Sequence, residues 1–206
     1  MAILSILLIL LIMVILQNLS KLVRRHKIPF ISICQLLYAV ALYFFMDVPY
    51  TFTVQFKGFF YFLLVFATMV FLGDLLKAQQ MRFYKKISFS DLLFIGIALP
   101  VSEEIIFRGA LLFLLPSVLL NAAIFSCVHL ANVFSRMEKF SVFNFAYRFA
   151  AGYIFAYSAI STQSLFCPIL CHVLNNSVGL LMLSRSEHVA KKSANTTNYE
   201  DSEHRD

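Results

Sequence analysis

The chain has 206 residues, of which 60% are hydrophobic and 14% are charged. A soluble domain is about 45–50% apolar and about 25% charged, so this composition excludes an ordinary soluble protein and indicates one bundle of membrane helices. The net charge is +6, but the basic residues lie mostly in short clusters between apolar segments. Such clusters are typical of cytoplasmic loops and do not indicate a nucleic-acid partner.

Seven apolar segments approach or exceed the length of about 20 residues that a helix needs to cross a lipid bilayer. The predicted fold class is therefore all-α, a polytopic transmembrane helix bundle of about seven spans. In chain order, the predicted spans are Ala2 to Leu19, Ile28 to Met46, Gly58 to Leu72, Ser88 to Leu115, Ser117 to Phe134, Phe143 to Ile160 and Leu165 to Leu183. The first span has no basic residue before it, so we interpret it as an uncleaved anchor.

Basic clusters follow the first, third, fifth and seventh spans, whereas the loops after the second, fourth and sixth are nearly uncharged. The positive-inside rule then predicts a multi-pass cell-membrane protein with its N-terminus outside and its C-terminus in the cytoplasm. Residues 184–206 are rich in Ser, Asn, Lys and Glu and have almost no apolar side chains. We predict that they form a disordered cytoplasmic tail.

The fourth span has three charged residues near its middle, Glu103, Glu104 and Arg108. Each such charge costs about 2.5–3.5 kcal/mol at the centre of a spanning helix, so a functional role is expected. Glu104 and Arg108 are four residues apart and can pair, while Glu103 lies about 100° round the helix from Glu104. The alternative is one internal ion network that only fixes helix packing. Ser90 is predicted to cap the start of this helix.

The fifth and seventh spans each place histidine in an apolar segment. His129 follows Phe125 by one turn, and we expect the phenyl ring to form an apolar wall beside the imidazole. His172 and Asn176 are also one turn apart and share a face. Ionisable residues inside a membrane are functional candidates by default, although interhelical hydrogen bonding is the alternative for His172 and Asn176.

These side chains suggest hydrolysis of an amide by water. A carboxylate beside a histidine can activate water as a general base, and a second histidine with an amide can donate hydrogen bonds to an oxyanion. The same groups could instead hold zinc, with Glu103, His129 and His172 as ligands. The residues themselves leave both mechanisms open. The four cysteines form no CxxC pair and are predicted to be buried free thiols: Cys34, Cys127, Cys167 and Cys171.

Three motifs occur in order on these helices: Glu103-Glu104-x-x-x-Arg108, Phe125-x-x-x-His129 and His172-x-x-x-Asn176. Their order and spacing resemble those of the CPBP family, which comprises CAAX proteases and bacteriocin-processing enzymes and is also called the Abi family. The resemblance covers about Ser88 to Leu183 and implies an intramembrane endopeptidase. In such an enzyme Glu103 and His129 activate the water, His172 and Asn176 form the oxyanion site, and Glu104, Arg108 and Phe125 support them.

Together with the apolar segments and the polar tail, the resemblance divides the chain into N-terminal transmembrane helices (1–87), which match no motif of the family, a catalytic transmembrane core (88–183) and the tail (184–206). It implies a membrane-associated peptide or protein substrate, such as a prenylated CAAX protein or a bacteriocin or pheromone precursor. The family is often labelled metalloprotease, yet its glutamate-type mechanism needs no metal, so no cofactor is firmly implied and zinc stays an option. The small size favours a bacterial member, and no oligomeric state is implied.

Two other functions are consistent with these features. Some family members confer self-immunity to bacteriocins, so the protein could be an immunity or signalling scaffold in which proteolysis is dispensable. A small transporter could use Glu103 and His129 to relay protons. Transporters of this kind contain internal repeats, and the two halves of the sequence show none.

Overall fold

The computed structural model describes residues 2–19, 23, 27–75, 88–134 and 140–182, and these ranges are almost entirely helical. Seven helices follow one another in the described part of the chain. They are α1 (Ala2–Leu19), α2 (Lys27–Phe45), α3 (Phe59–Leu75), α4 (89–114), α5 (Val118–Val128, continued by Leu130–Phe134), α6 (Val142–Thr162) and α7 (Phe166–Met182). No strand occurs among these residues, so the predicted all-α class is confirmed there. The predicted tail, 184–206, lies outside the described residues.

The start of α4 corrects one prediction, because Ser88 caps the helix instead of Ser90. The Ser88 hydroxyl accepts a hydrogen bond from the Asp91 backbone N–H at 3.2 Å, and the Asp91 carboxylate accepts one from the Ser88 N–H at 2.9 Å. This reciprocal capping box satisfies two backbone donors at once, which a cap at Ser90 would not do. The Ser90 hydroxyl instead lies 2.8 Å from the Ser88 hydroxyl.

Helix α4 is not a uniform α-helix, since Leu92–Ala98 and Ile105–Leu111 have π-helical geometry. A π-helical turn adds a residue and displaces backbone carbonyls from their usual donors, and such turns are frequent at functional sites. Side chains of neighbouring helices donate to some of these carbonyls. The Ser32 hydroxyl on α2 donates to Phe94 O at 3.3 Å, and the Asn121 amide on α5 donates to Phe107 O at 2.7 Å. Polar side chains thus hold α4 against α2 and α5.

The loop between α2 and α3 packs on the turn between α6 and α7. The Thr51 N–H donates to Gln163 O, and the Leu165 N–H donates to Thr51 O, both at 2.8 Å. The turn closes through Gln163, whose φ of +53° is left-handed. Because the two connections touch, the C-terminal ends of α2 and α6 lie at the same end of the molecule. This is the relation expected for two loops that each follow an even-numbered span.

The outer surface of the bundle is strongly apolar. Helices α1 and α2 are long and apolar enough to cross a membrane, yet only 11% and 17% of their spanning windows are buried inside the protein. A core helix of a soluble protein would be mostly buried. Large side chains such as Leu4, Phe45 and Phe60 are exposed. Contiguous apolar surface of this kind indicates contact with lipid or another apolar partner.

Candidate active site

Three helices bring the predicted site residues together inside the bundle. Glu103 of α4 has a carboxylate oxygen 3.8 Å from Nε2 of His129, at the end of α5, and 3.7 Å from Nε2 of His172 on α7. The same Glu103 oxygen, Oε2, faces both rings. Side chains that are 26 and 69 residues apart in sequence therefore surround one carboxylate, and we call Glu103, His129 and His172 the central cluster.

Beneath the central cluster lies a fully buried ion pair. Arg108 Nη1 donates to Glu104 Oε1 at 3.1 Å, and neither side chain has any exposed surface. His172 Nδ1 lies 2.6 Å from the same Glu104 oxygen. The second Arg108 nitrogen, Nη2, donates to the Gly152 carbonyl on α6 at 3.3 Å. The predicted pairing of Glu104 with Arg108 is confirmed, and the pair fixes one nitrogen of His172.

Aromatic rings enclose the Arg108 guanidinium. Its central carbon lies 4.2 Å from the centre of the Phe125 ring and 5.3 Å from that of Phe155. A cation over an aromatic face is attracted by the ring quadrupole. Phe125 also lies 4.5 Å, centre to centre, from the ring of His129. The predicted apolar wall beside His129 is therefore confirmed, and the same ring also covers Arg108.

The hydrogen bond of His129 determines how its ring presents itself to Glu103. His129 Nδ1 lies 2.8 Å from the Phe125 carbonyl oxygen, which can only accept. Nδ1 must therefore hold a proton, and in the neutral ring Nε2 carries the lone pair. Nε2 is the nitrogen that faces Glu103. Glu103 Oε2 and His129 Nε2 are thus two acceptors that face each other. A water molecule between them could donate one hydrogen bond to each.

Glu103 differs from Glu104 in its accessibility. The Glu103 side chain is 20% exposed and the His129 side chain is 17% exposed, whereas the Glu104 side chain is completely buried. The distances of 3.7 and 3.8 Å from Glu103 Oε2 to the two imidazoles exceed ordinary hydrogen-bond lengths of about 2.7–3.2 Å. Glu103 therefore has room to accept a hydrogen bond from a small molecule, and Glu104 does not.

Asn176, predicted beside His172, lies one turn further along α7. Its side-chain amide donates to the Ile95 carbonyl of α4 at 3.3 Å, and its carbonyl oxygen accepts from the Asn175 amide at 3.1 Å. His172 and Asn176 both contact α4, so they share one face of α7 as their spacing predicted. The structure brings His172 into the central cluster, while it holds Asn176 against the backbone of α4.

A zinc site was the alternative use of these side chains considered from the sequence. Within the described ranges, no group of three or more His, Cys, Asp or Glu side chains is arranged to hold a metal ion. Glu103, His129 and His172, which were predicted as ligands if a metal is bound, do not form such a group. The zinc mechanism stays a prediction, and the chemistry discussed below uses only the side chains of this chain.

Residues 85–178 match the family model for Type II CAAX prenyl endopeptidase Rce1-like proteins. This part of the chain is therefore similar to an Rce1-like domain. The match spans slightly less than half of the chain and contains all three motifs, so the resemblance predicted from them is confirmed. The family is one of proteases associated with membranes. No curated protein and no solved structure matches the chain significantly.

Several residues of the matched region contact the site without having been predicted there. The Tyr147 hydroxyl on α6 donates to the Asn175 carbonyl oxygen, and Gly152 supplies the carbonyl that binds Arg108. Phe155 packs against both Arg108 and His172. Asn175 could have been found from sequence, because it is a second amide beside Asn176 in an apolar helix. Nothing in the sequence distinguishes Gly152 and Phe155 from ordinary residues of an apolar helix.

The cysteine prediction holds only in part. Cys167 and Cys171 are buried on the part of α7 that leads directly to His172, with their sulfur atoms 3.9 Å apart. Cys127 is exposed, and Cys34 is half-buried. The reason is that α2 and the end of α5 direct these two side chains toward the apolar outer surface, a distinction that hydrophobicity alone does not reveal.

Proposed function

We propose that this protein is an intramembrane endopeptidase that hydrolyses a peptide bond in a membrane-associated protein or peptide. The observation that carries the proposal is the central cluster, in which one accessible carboxylate oxygen lies 3.8 Å from His129 Nε2 and 3.7 Å from His172 Nε2. The cluster lies within an Rce1-like domain, whose family consists of proteases. The proposed catalytic residues are Glu103, His129, His172 and Asn176.

The first step would be activation of a water molecule between Glu103 and His129. For a water oxygen about 2.8 Å from each of two acceptors at this separation, the directions to the acceptors differ by about 85°. This is about 20° less than the angle between its two O–H bonds, so each hydrogen bond is bent by only about 10°. It would donate one hydrogen to each acceptor and keep its lone pairs free. As the water oxygen attacks the substrate carbonyl carbon, Glu103 takes its proton as general base.

The second step would break the C–N bond. The attack creates an oxyanion, and His172 and Asn176 are one helical turn apart on the face of α7 that lies against α4. N–H donors at these positions would stabilise the negative charge. His172 donates through Nε2 only when its ring holds both protons, since Nδ1–H is directed at Glu104. Glu103 then returns its proton to the leaving amine as the bond breaks.

We further propose that the chain is a polytopic bundle of seven spans in the cell membrane, with the N-terminus outside. The apolar surface and the alternation of basic and uncharged loops support this arrangement. Residues 1–87 would be N-terminal transmembrane helices and 88–183 the catalytic core. A prenylated CAAX protein is the substrate class that the family description suggests, with bacteriocin or pheromone precursors as further candidates.

Purified protein reconstituted into liposomes tests the proposal directly. The probe is a farnesylated peptide that ends in Cys-aliphatic-aliphatic-X, assayed beside an apolar precursor-type peptide, with mass spectrometry of the products. We expect hydrolysis of at least one probe by the wild type. Glu103→Gln should slow it by at least about 100-fold, because general-base catalysis contributes about 10²–10⁴-fold.

Asp47→Asn is the matched control, because it also replaces a carboxylate by an amide. Asp47 lies in the α2–α3 loop with a φ of +46°, a conformation that asparagine tolerates. This variant should cleave at the wild-type rate. Undiminished cleavage by Glu103→Gln would refute the assignment of the base. Cell protection from a bacteriocin by a Glu103→Gln protein without cleavage would favour the immunity scaffold instead.

A further inference from the structure

The π-helical start of α4 leaves the Ile95 carbonyl open to a side chain. In a π-helix, a carbonyl accepts from the N–H five residues later, as Phe94 O does from the Leu99 N–H. The corresponding residue for Ile95 is Pro100, which has no N–H. The Asn176 amide of α7 supplies the missing donor, and its Nδ2 lies 3.3 Å from Ile95 O.

This contact fixes the orientation of a chain of three side chains. A backbone carbonyl only accepts, so Asn176 must direct its NH₂ group at Ile95 and its oxygen at Asn175. Asn175 then donates to that oxygen at 3.1 Å and presents its own oxygen to the Tyr147 hydroxyl, which donates to it. Each hydrogen bond fixes the next, and we call Tyr147, Asn175 and Asn176 the amide relay.

The orientation of Asn176 matters for the proposed oxyanion site. An amide has an N–H donor on one side and an oxygen acceptor on the other. One N–H of Asn176 binds Ile95, and the other is the donor that the proposed mechanism needs. If the amide rotated by 180°, its oxygen would face the developing negative charge and repel it.

We propose that Tyr147 is a positioning residue for catalysis, which stabilises through Asn175 the Asn176 orientation that the Ile95 carbonyl determines and that donates to the oxyanion. The proposal rests on the proposed function of Asn176 in peptide hydrolysis. Tyr147 reaches the relay from α6, so the relay joins α6, α7 and α4 at one point. Ser177, which follows Asn176, reinforces the contact by donating to Gly96 O at 3.4 Å.

Tyr147→Phe removes only the hydroxyl at the far end of the relay from Ile95. With the peptide that the wild type cleaves, measured at single turnover with enzyme in excess, we expect the rate of cleavage at saturation to fall about 3- to 10-fold, the worth of one hydrogen bond. The enzyme concentration that gives half of this rate should not change, because the effect is confined to the transition state. Tyr153→Phe is the matched control, since Tyr153 is on the same helix and 44% exposed, and its rate should equal that of wild type.

The Asn176→Ala background separates positioning from a structural role. If Tyr147 acts through Asn176, Tyr147→Phe has no further effect once the Asn176 amide is gone. The same fall in both backgrounds, or a Tyr147→Phe rate equal to that of Tyr153→Phe, would overturn the proposal. If Tyr147→Phe retains the wild-type rate while Glu103→Gln is inactive, the relay fails and the proposed function stands.

Hydrogen exchange of the Asn176 side chain tests the amide relay without any substrate. In protein labelled with ¹⁵N-asparagine, the side-chain amide hydrogens of Asn176 should exchange with solvent more slowly in wild type and Tyr153→Phe than in Tyr147→Phe. Equal exchange in all three proteins would refute the relay. Failure of the wild type to cleave either probe would refute the proposed function, and the exchange result would still test the relay.

Discussion

Glu103 and Glu104 are adjacent in sequence but differ in what surrounds them. Glu104 is fully buried and bonded to Arg108 and His172, whereas Glu103 is partly exposed and lies beyond hydrogen-bond distance of both histidines. Glu104 therefore holds the site together, and Glu103 is left available for reaction. A hydrogen-bonded network does join Glu104, Arg108 and His172, while Glu103 contacts it only through the longer distance of 3.7 Å to His172 Nε2.

Because of this difference, we expect substitution of Glu104 to lower the stability of the protein and substitution of Glu103 not to lower it. Glu104→Gln leaves the buried Arg108 charge uncompensated, and breaking a buried ion pair costs about 3–5 kcal/mol of folding free energy. Its melting temperature in detergent should fall clearly. Glu103→Gln should melt at or above the wild-type temperature, because it removes a carboxylate that lies beyond hydrogen-bond distance of both histidines. Equal destabilisation by both variants would contradict the separation of roles.

The pairing of residues within one helix could be predicted from sequence, while contacts between helices could not. The four-residue spacing of Glu104 and Arg108 and of Phe125 and His129 is enough to expect contact. That His172 would bind Glu104 through Nδ1 depends on how α7 is rotated against α4. The hydrophobic pattern does not fix this rotation, because both helices are apolar on nearly every side.

At the scale of elements, the unexpected feature is the π-helical geometry of α4. The sequence predicts one long helix from Ser88 to Leu115, and residues 89–114 do form one. The added residue in each π-helical turn depends on side chains from other helices, such as Asn121 and Asn176, that satisfy the displaced carbonyls. Propensity within α4 contains no information about those partners, so the π-helical turns could not be predicted.

Close packing of α6 on α5 gives a prediction at this scale. A Cβ atom at Gly152 would lie 3.0 Å from Phe125 Cδ1 and 3.4 Å from Arg108 Nη2. Gly152→Ala should therefore displace the ring that separates Arg108 from His129, and overpacking of this kind costs about 1–3 kcal/mol. We expect a lower melting temperature and slower cleavage by the variant.

Gly179→Ala on α7 is the control for this substitution. A Cβ atom at Gly179 has no neighbour within 4 Å, and alanine is favoured over glycine in a helix by about 0.5–1 kcal/mol. The control should melt at or above the wild-type temperature. If Gly152→Ala behaved in the same way, the described packing of α6 against the Arg108 site would be wrong.

At the scale of the whole molecule, the number and order of the helices follow from hydrophobicity. All seven predicted spans begin within one residue of the observed helices, because a long apolar segment forms a helix when its surroundings are apolar. The third helix extends to Leu75, three residues beyond the prediction. The orientation in the membrane rests on loop charge alone and stays a prediction.

Single-cysteine labelling tests this orientation. In a protein without its four native cysteines, Thr53→Cys and Gln163→Cys should both react with a membrane-impermeant maleimide added to intact cells, because their loops touch and lie outside. Val23→Cys and Ser141→Cys should react only after the membrane is permeabilised. Labelling of Thr53→Cys and Gln163→Cys from opposite sides would contradict the described packing of the two loops.

The central claim is that Glu103 and His129 together activate one water for peptide hydrolysis. The most direct measurement is the single-turnover cleavage rate of the liposome-reconstituted protein with Glu103→Gln, His129→Ala and both substitutions together. Because the two side chains share one water, we predict that each single variant loses nearly all activity and that the double variant loses no more. Cleavage by Glu103→Gln at the wild-type rate, or losses that multiply in the double variant, would contradict the account.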